Sequence, residues 1–416
     1  MWSRFKFINK SVALTLSCLL WAFCSCSHDA DAPDVSPGGE KVLSLSFKIP
    51  TRAVTDGYEG GEKSENYIDI GGGNFRIYFF GTDNKFIAGL DPSDFITVVS
   101  NDLRQYDVTG TAPDELIRHR DFKMVVLANW PKYPEDDTDK TLTAGVTSIA
   151  DICEASWSQY NCLTDGDESN PSAVALNPDA GILMPFYGVH EYRDVTFKPD
   201  VVTMLSEPVT LLRAMAKVEV ILQTDDYYDL SFSSLKINRY NAAGYCAPKD
   251  VSHQDSYDHN GNWQDDYSRT LHLVGGRNDS EAKELSLRRT RRWYENGTRY
   301  EKWIAYLPEY QNIGADDAYS SIKAKFDIQT ADDDLHTIYF AQYSGGETEN
   351  SDADRLNIER NNIYRFHVIC SGYDLKLLLT VSDWQGLYEN TFDFGDIQIV
   401  SPVSPWENQI NNDINF

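Results

Sequence analysis

The residue types that usually carry chemistry do not form a known catalytic motif in this sequence. None of the eight histidines lies in an HExxH or HxH arrangement that would hold a catalytic zinc ion. The sequence has no GxSxG elbow and no GxxxxGK[ST] loop. We predict that the chain is not an enzyme and uses no cofactor or metal, although two carboxylates that converge only in space would leave no motif.

One acidic loop begins like a calcium site. The run that starts at Asp258 has oxygen-bearing side chains at its first positions, but its sixth residue is Trp263 instead of glycine. Its twelfth residue is Arg269 instead of glutamate. We interpret this loop as a solvated turn.

The N-terminus indicates export. Three basic residues lie among the first ten, and residues 11–23 form a short apolar run, which is the pattern of a secretory signal. The segment before Cys26 resembles a bacterial lipobox, in which the cysteine at the cleavage point is lipidated. Ser25 suits the position before the cut, so we predict a signal peptide over residues 1–25 and lipidation of Cys26. The alternative is a plain cleaved signal with incidental cysteines.

Four further cysteines remain after the leader, and they do not have metal-ligand spacing. Cys153 and Cys162 could close a short disulfide in an oxidising compartment. Separate buried thiols are an equal alternative, and the sequence does not decide between them.

The first strand is predicted by strict alternation. After a flexible linker over residues 26–41, the apolar side chains of Leu43, Leu45, Phe47 and Ile49 recur at every second position, so they share one face. The strand therefore has one buried side. A polar, glycine-rich segment follows at once and is predicted to be exposed.

Strand patterns dominate the rest of the chain. Further strands are predicted at nine places: Phe75 to Phe80, Phe122 to Asn129, Val209 to Leu222, Ser234 to Tyr240, Lys302 to Leu307, Ser321 to Gln329, Thr337 to Tyr343, Tyr364 to Cys370 and Leu375 to Val381. One helix is predicted over Ser148 to Tyr160, with Ser148 as its cap and Asp151 three residues later. This order favours an all-β fold of two tandem antiparallel β-sandwich domains with few short helices.

Domain bounds follow from length and pattern, since 416 residues exceed what one core normally organises. We predict an N-terminal sandwich over residues 42–208, a C-terminal sandwich over residues 209–385 and a tail over residues 386–416.

The charge balance excludes one class of partner. The formal net charge is −27, from 64 acidic and 37 basic residues, and its sign opposes nucleic acid. The basic concentration is Arg288, Arg289, Arg291 and Arg292. We interpret it as a solvated edge strand whose charges discourage pairing, with a docking patch for an acidic neighbouring subunit as the alternative.

Five short segments together resemble the fimbrillins of Bacteroidales, the FimA- and Mfa-like pilus proteins. They occur in the family's order between residues 42 and 385 and are Tyr67–Ile70 with Phe75–Phe80, Leu212–Val220, Ala305–Tyr310, Arg360–Tyr364 and Val381–Trp384. The lipobox and Thr51-Arg52-Ala53 add to the resemblance.

The resemblance implies two transthyretin-like sandwiches, export as a lipoprotein and proteolysis after an arginine in the loop behind the first strand. That arginine is Arg52, so the mature chain would begin at Ala53 and the strand over residues 42–50 would be removed. A groove with an unpaired sheet edge would remain, which another chain can fill by β-addition.

The C-terminal tail offers a donor. Phe392 and Phe394 alternate, a glycine shifts the phase, and Ile397 and Ile399 resume it. The tail continues beyond this run, so residues 410–416 are a second candidate. An extension packed on its own domain is the alternative to both.

The expected role is a structural or tip subunit of a pilus on the cell outer membrane. Its expected partners are other pilus subunits in a homo- or hetero-polymer, the outer membrane through the lipid, and a host or bacterial surface ligand. A permanently lipidated anchor and a surface glycan-binding lipoprotein are the alternatives, the latter because aromatic faces can stack on sugars.

Overall fold

The computed structural model describes the chain in segments. They are residues 41–49, 63–71, 74–101, 105–130, 142–153, 159–161, 176, 182–225, 230–241, 243–245, 284–312, 319–326, 335–341, 355–371, 374–383 and 412–413. All of these residues lie in one compact unit of residues 40–416.

Strand is the dominant secondary structure of the described residues. The strands are β1 Val42–Lys48, β2 Phe75–Phe80, β3 Phe86–Leu90, β4 Phe95–Asn101, β5 Gln105–Thr111, β6 Phe122–Ala128, β7 Gln159–Asn161, β8 Phe186–Tyr192, β9 Thr203–Met204, β10 Val209–Thr210, β11 Leu212–Arg213, β12 Ala216–Asp225, β13 Phe232–Asn238, β14 Ala243–Tyr245, β15 Glu284–Ser286, β16 Arg288–Glu295, β17 Thr298–Leu307, β18 Ser321–Phe326, β19 Leu335–Tyr339, β20 Asn362–Ser371, β21 Asp374–Asp383 and β22 Asn412–Asp413. The helical elements are α1 Ile149–Cys153 and short 3-10 turns at Lys63–Asn66, Pro92–Asp94 and Leu116–Arg118. The predicted all-β class is confirmed.

Two sheets enclose the first core. One has the order β10-β1-β5-β4, with β9 also on β1, and the other has the order β11-β8-β6-β2-β3. The sheets meet face to face, since the ring of Phe47 in β1 lies 5.0 Å from the ring of Phe75 in β2. Alternating side chains of both sheets fill the space between them, as expected for a sandwich.

Two more sheets enclose the second core. A six-stranded sheet has the order β16-β17-β12-β20-β21-β22, and a four-stranded sheet has the order β15-β13-β18-β19. Phe232 of β13 packs edge-on against Trp303 of β17 with 6.4 Å between ring centroids. Most pairing is antiparallel, but β1 is parallel to β9 and β10, and β12 is parallel to β20.

The chain crosses between the first two sheets over residues 209–213. β10 pairs with β1, β11 pairs with β8, and the amide of Leu211 between them donates to the carbonyl of Lys48 at 2.8 Å. A Cβ atom on Gly188 of β8 would lie 2.5 Å from the carbonyl oxygen of Thr210. Glycine is therefore required where β8 passes the crossing.

This crossing corrects the single strand predicted over Val209 to Leu222. Three strands occupy that range because the chain serves two sheets before β12 begins. Core membership changes between Met215, in the first core, and Ala216, in the second. The domain boundary after residue 208 stays a prediction.

The predicted helix is shorter than its pattern. The capping box is present, since the amide of Asp151 donates to Ser148 Oγ at 3.2 Å and the amide of Ser148 donates to Asp151 Oδ2 at 2.8 Å. The helix ends at Cys153, and Tyr160 lies in β7, opposite Gly244 of β14. The helical reading to Tyr160 is therefore wrong, because a distant strand pairs with that residue. Within the described segments no helix is long and apolar enough to cross a membrane.

Candidate strand-exchange site

β1 lies inside its sheet. On one side Val42–Lys48 pairs antiparallel with Gln105–Thr111 along its whole length. On the other side only its two ends are paired, with β9 at Leu43 and Ser44 and with β10 at Phe47 and Lys48. β1 thus fills a slot between one long strand and two short ones.

The predicted apolar face of β1 is buried. Leu43, Leu45, Phe47 and Ile49 are each at most 2% exposed. The ring of Phe47 also stacks on Tyr106 of β5 at 5.4 Å. Burial of four such side chains contributes on the order of 10 kcal/mol, which is an upper estimate because unfolded chains already bury part of this surface.

Loss of β1 would leave a defined groove. Its floor would be the apolar side chains that now contact β1, and its walls would be the backbone edges of β5 on one side and of β9 and β10 on the other. All of these neighbours come later in the sequence, so removal of β1 does not interrupt the remaining chain. An unpaired edge of this kind can accept an added strand.

The other predicted site residues lie outside the described segments. They are the lipidation site Cys26, the processing residues Arg52 and Ala53, and the donor residues Phe392, Phe394, Ile397 and Ile399. Cys162, the calcium-like loop and residues 386–411 are also outside them. Residues 412–413 of the predicted tail are described as β22, which pairs with Lys376 and Leu377 of β21.

A buried ion network lies where the first core meets the six-stranded sheet. Glu65, on the 3-10 turn behind the processing segment, is fully buried and accepts from Tyr306 Oη of β17 at 2.6 Å. Lys217 Nζ of β12 lies 2.6 Å from Glu65 Oε1 and 2.9 Å from Glu219 Oε1. This network ties the 3-10 turn Lys63–Asn66 to β12.

Glu219 is the centre of the same network. Its carboxylate, 1% exposed, also pairs with Lys302 at 2.9 Å and with Arg365 at 2.6 Å. Burial alone would raise the pKa of Glu219, but the charges of Arg365, Lys217 and Lys302 outweigh burial and hold that pKa well below its ordinary value. The carboxylate therefore stays ionised inside the fold.

A second buried pair lies close by. Arg360 donates from Nε and Nη2 to both carboxylate oxygens of Glu309, each at 2.8 Å, in the bidentate geometry that arginine favours. Arg213 of β11 donates to Asn66 and to the carbonyl of Glu65. The region where the two halves meet therefore combines buried ion pairs with apolar contacts, since Ile304 and Ile363 belong to the first core.

Sequence reasoning missed these buried charges. In β12 the pattern Ala216-Lys217-Val218-Glu219-Val220 is typical of a strand with one solvated face. In the structure the face that carries Lys217 and Glu219 is buried under the first half. The sequence signal that could have found these buried charges was the fimbrillin resemblance. Several of the charged residues come from three of the segments that carry it, which are Leu212–Val220, Ala305–Tyr310 and Arg360–Tyr364.

The arginine strand is placed as predicted. Among the described strands, β16 is the edge of the six-stranded sheet and pairs only with β17. Arg288, Arg289, Arg291 and Arg292 are all exposed. No group of three potential metal-ligating side chains occurs in the described part of the chain.

Comparison with known proteins gives structural likeness only. No family model and no curated protein matches the sequence. The chain is similar to the tip fimbrial protein Mfa3 of Porphyromonas gingivalis, at 11% identity and a TM-score of 0.46, over 82% of this chain and 99% of that one. It is also similar to a fimbrial assembly protein of Parabacteroides distasonis, at 13% identity and a TM-score of 0.42, over 82% and 97%. Shared structure at this level does not establish a shared role.

Proposed function

We propose that this chain is a structural or tip subunit of a cell-surface pilus. It is exported as a lipoprotein through Cys26, matured by cleavage after Arg52 and assembled by β-strand donation. The observation that carries the proposal is β1, a buried strand from the start of the described chain whose sheet neighbours all lie beyond the processing segment.

The surroundings of β1 support its removal. Its alternate side chains supply a large apolar contact, but the strand is tied to β9 and β10 only at its ends. The first described turn beyond Arg52, Lys63–Asn66, is separately held through the contacts of Glu65 with Lys217 and Tyr306. Cleavage would therefore open the groove and leave the new N-terminal segment attached to the fold.

The groove also sets the geometry of a donor. A strand that enters in the direction of β1 pairs antiparallel with β5 and parallel with β9 and β10, so it restores both sets of backbone hydrogen bonds. It needs apolar side chains at alternate positions over about seven residues. The candidate donors are residues 391–400 and residues 410–416. In the first candidate, Gly395 shifts the phase of the alternating apolar residues.

The test compares cleaved and uncleavable protein. Trypsin-like cleavage after Arg52 should yield a chain that starts at Ala53 and forms ladders that resist dissociation, whereas Arg52→Ala protein should form no such ladders. Electrophoresis without boiling separates the two outcomes. A chain that lacks residues 391–416 is the control for the donor. Once cleaved, it should accept the donated strand of one intact partner but should donate no strand to a further copy.

Anchoring has its own test. Replacement of Cys26 by Ser should abolish incorporation of labelled lipid and release the precursor from the membrane fraction, with Cys24→Ser as the matched control. If surface protein begins at Cys26 and the cleaved form never oligomerises, a permanently lipidated anchor or a glycan binder replaces the pilus subunit.

A further inference from the structure

The edge of the six-stranded sheet at β16 has an unusual composition. Within eight residues it places four arginines, Trp293 and Tyr294, and Tyr294 is 63% exposed. Arginine, tryptophan and tyrosine are the residue types most enriched at interface hot spots. An edge strand that only discourages pairing more often uses lysine.

The four arginines of β16 differ in the contacts that they make within the protein. Arg292 pairs with the buried carboxylate of Glu301 at 2.5 Å, and Arg289 lies 4.0 Å from the same carboxylate, so one acid faces two guanidinium groups. Arg288 and Arg291 lie on the opposite face of the strand, opposite Ile304 and Lys302 of β17. Within β16 the only acidic residue is Glu295, against four arginines, so the strand has an excess of positive charge.

Aromatic rings hold this surface in shape. Arg291 lies 4.9 Å over the ring of Trp293, which stacks on Tyr300 of β17 at 5.0 Å and 11°. Arg289 lies 5.7 Å over the ring of Trp303. Guanidinium groups ordered in this way lose less rotamer freedom when they bind carboxylates, which favours binding.

We propose that the β16 edge docks an acidic surface of a second copy of this chain. Charge complementarity selects the occupant, since β16 is strongly basic in a chain of net charge −27. Two copies then meet through unlike faces, and such contacts build rings or open chains instead of a two-fold dimer. This contact goes beyond the proposed strand exchange and does not depend on it.

The experiment uses Arg52→Ala protein, so that strand exchange and docking are separated. Sedimentation velocity at ~0.15 M NaCl should show an average mass that rises with concentration, and ~1 M NaCl should remove the rise because salt screens such pairs. Arg288→Glu with Arg291→Glu should weaken the association at least about tenfold. Arg118→Glu with Lys198→Glu, which are exposed in the first half and change the net charge equally, should not.

Two further measurements distinguish docking from simple protection of the sheet edge. If the arginines only guard that edge, Arg288→Thr with Arg291→Thr should increase association, whereas docking requires a decrease. A photo-crosslinking residue at the exposed Thr290 should capture an acidic segment of another copy. Equal association of the charge-reversed and control proteins, no salt-sensitive association, or crosslinks that never reach a second copy would each overturn the proposal.

Discussion

β1 and β12 occupy equivalent places in the two halves of the molecule. Each is the first described strand of its half and lies between an antiparallel and a parallel neighbour. β1 has β5 on one side and β9 with β10 on the other, whereas β12 has β17 and β20. The two halves thus use the same local plan.

The two halves differ in how firmly the neighbouring residues hold these strands. The parallel partner of β12 is continuous over Lys217–Thr224, opposite Ile363–Cys370, whereas the parallel partners of β1 hold only its ends. The outward side chains of β12, Lys217 and Glu219, are buried in ion pairs, but those of β1 include the exposed Lys48. β12 is therefore fixed by both of its faces and β1 by one.

Under the proposed strand exchange, the difference favours β1 over β12 as the exchanged strand. A strand held by one apolar face and one long ladder can be replaced by any segment with the same alternation. A strand that also carries a buried charge network cannot, because its replacement would leave those charges without partners.

The largest expected effect comes from removal of β1. A chain produced directly from Ala53 should lose several kcal/mol of unfolding free energy from the first core, since four buried side chains are absent. A synthetic peptide of residues 41–50 should restore that stability in urea titrations. The same peptide with Phe47→Ala is the control and should restore much less. A chain from Ala53 as stable as the full chain would contradict the role given to β1.

The next effect tests the outward face of β12. Glu219→Leu should cost about 3–5 kcal/mol because it leaves the buried Lys217 and the partly buried Lys302 and Arg365 without this carboxylate. Ser46→Leu, on the outward face of β1, should change the unfolding free energy by less than about 0.5 kcal/mol. Urea unfolding of both proteins measures the contrast, and equal costs would remove it.

A smaller effect is expected at the strand crossing beside β1. Gly188→Ala places a Cβ atom 2.5 Å from the carbonyl of Thr210, so β10 must shift away from β1. We expect a loss of about 1–3 kcal/mol. Gly71→Ala is the control, since a Cβ atom there meets nothing within 4 Å. Similar stability of both variants would show that the crossing can relax.

The smallest effect concerns pH. Burial, followed by the charge of Arg365, lowers the pKa of His367 on β20 to about 3. In the unfolded chain the imidazole titrates near 6.5, so the unfolded state binds more protons between these values and stability is lost as pH falls through them. His367→Leu should flatten this dependence by about 1 kcal/mol or more. An unchanged pH profile between 6.5 and 4 would place His367 in contact with water.

Glu219 also contributes to the loss of unfolding free energy as pH falls. Because the pKa of Glu219 is held well below its ordinary value, its contribution to stability is complete above pH 4.5 and is lost as pH falls below it. The two groups can therefore be separated by pH range.

The sequence by itself determined which side chains of a strand are buried. The alternation of Leu43, Leu45, Phe47 and Ile49 predicted the inner face of β1, and the Ser148 and Asp151 pair predicted a helix start. The run of arginines predicted a solvated strand, which is the edge strand β16. These features follow from local periodicity and local hydrogen bonding, which need no distant partner.

Only the tertiary structure decided which segments meet. Tyr160 joins a strand because Gly244 lies beside it, and the run after Val209 is divided because two sheets need it. Glu65 and Glu219 become buried because one half of the fold covers the polar face of a strand in the other. The partner of Glu65 at Tyr306 lies 241 residues away in the chain, and no local pattern encodes such a distance.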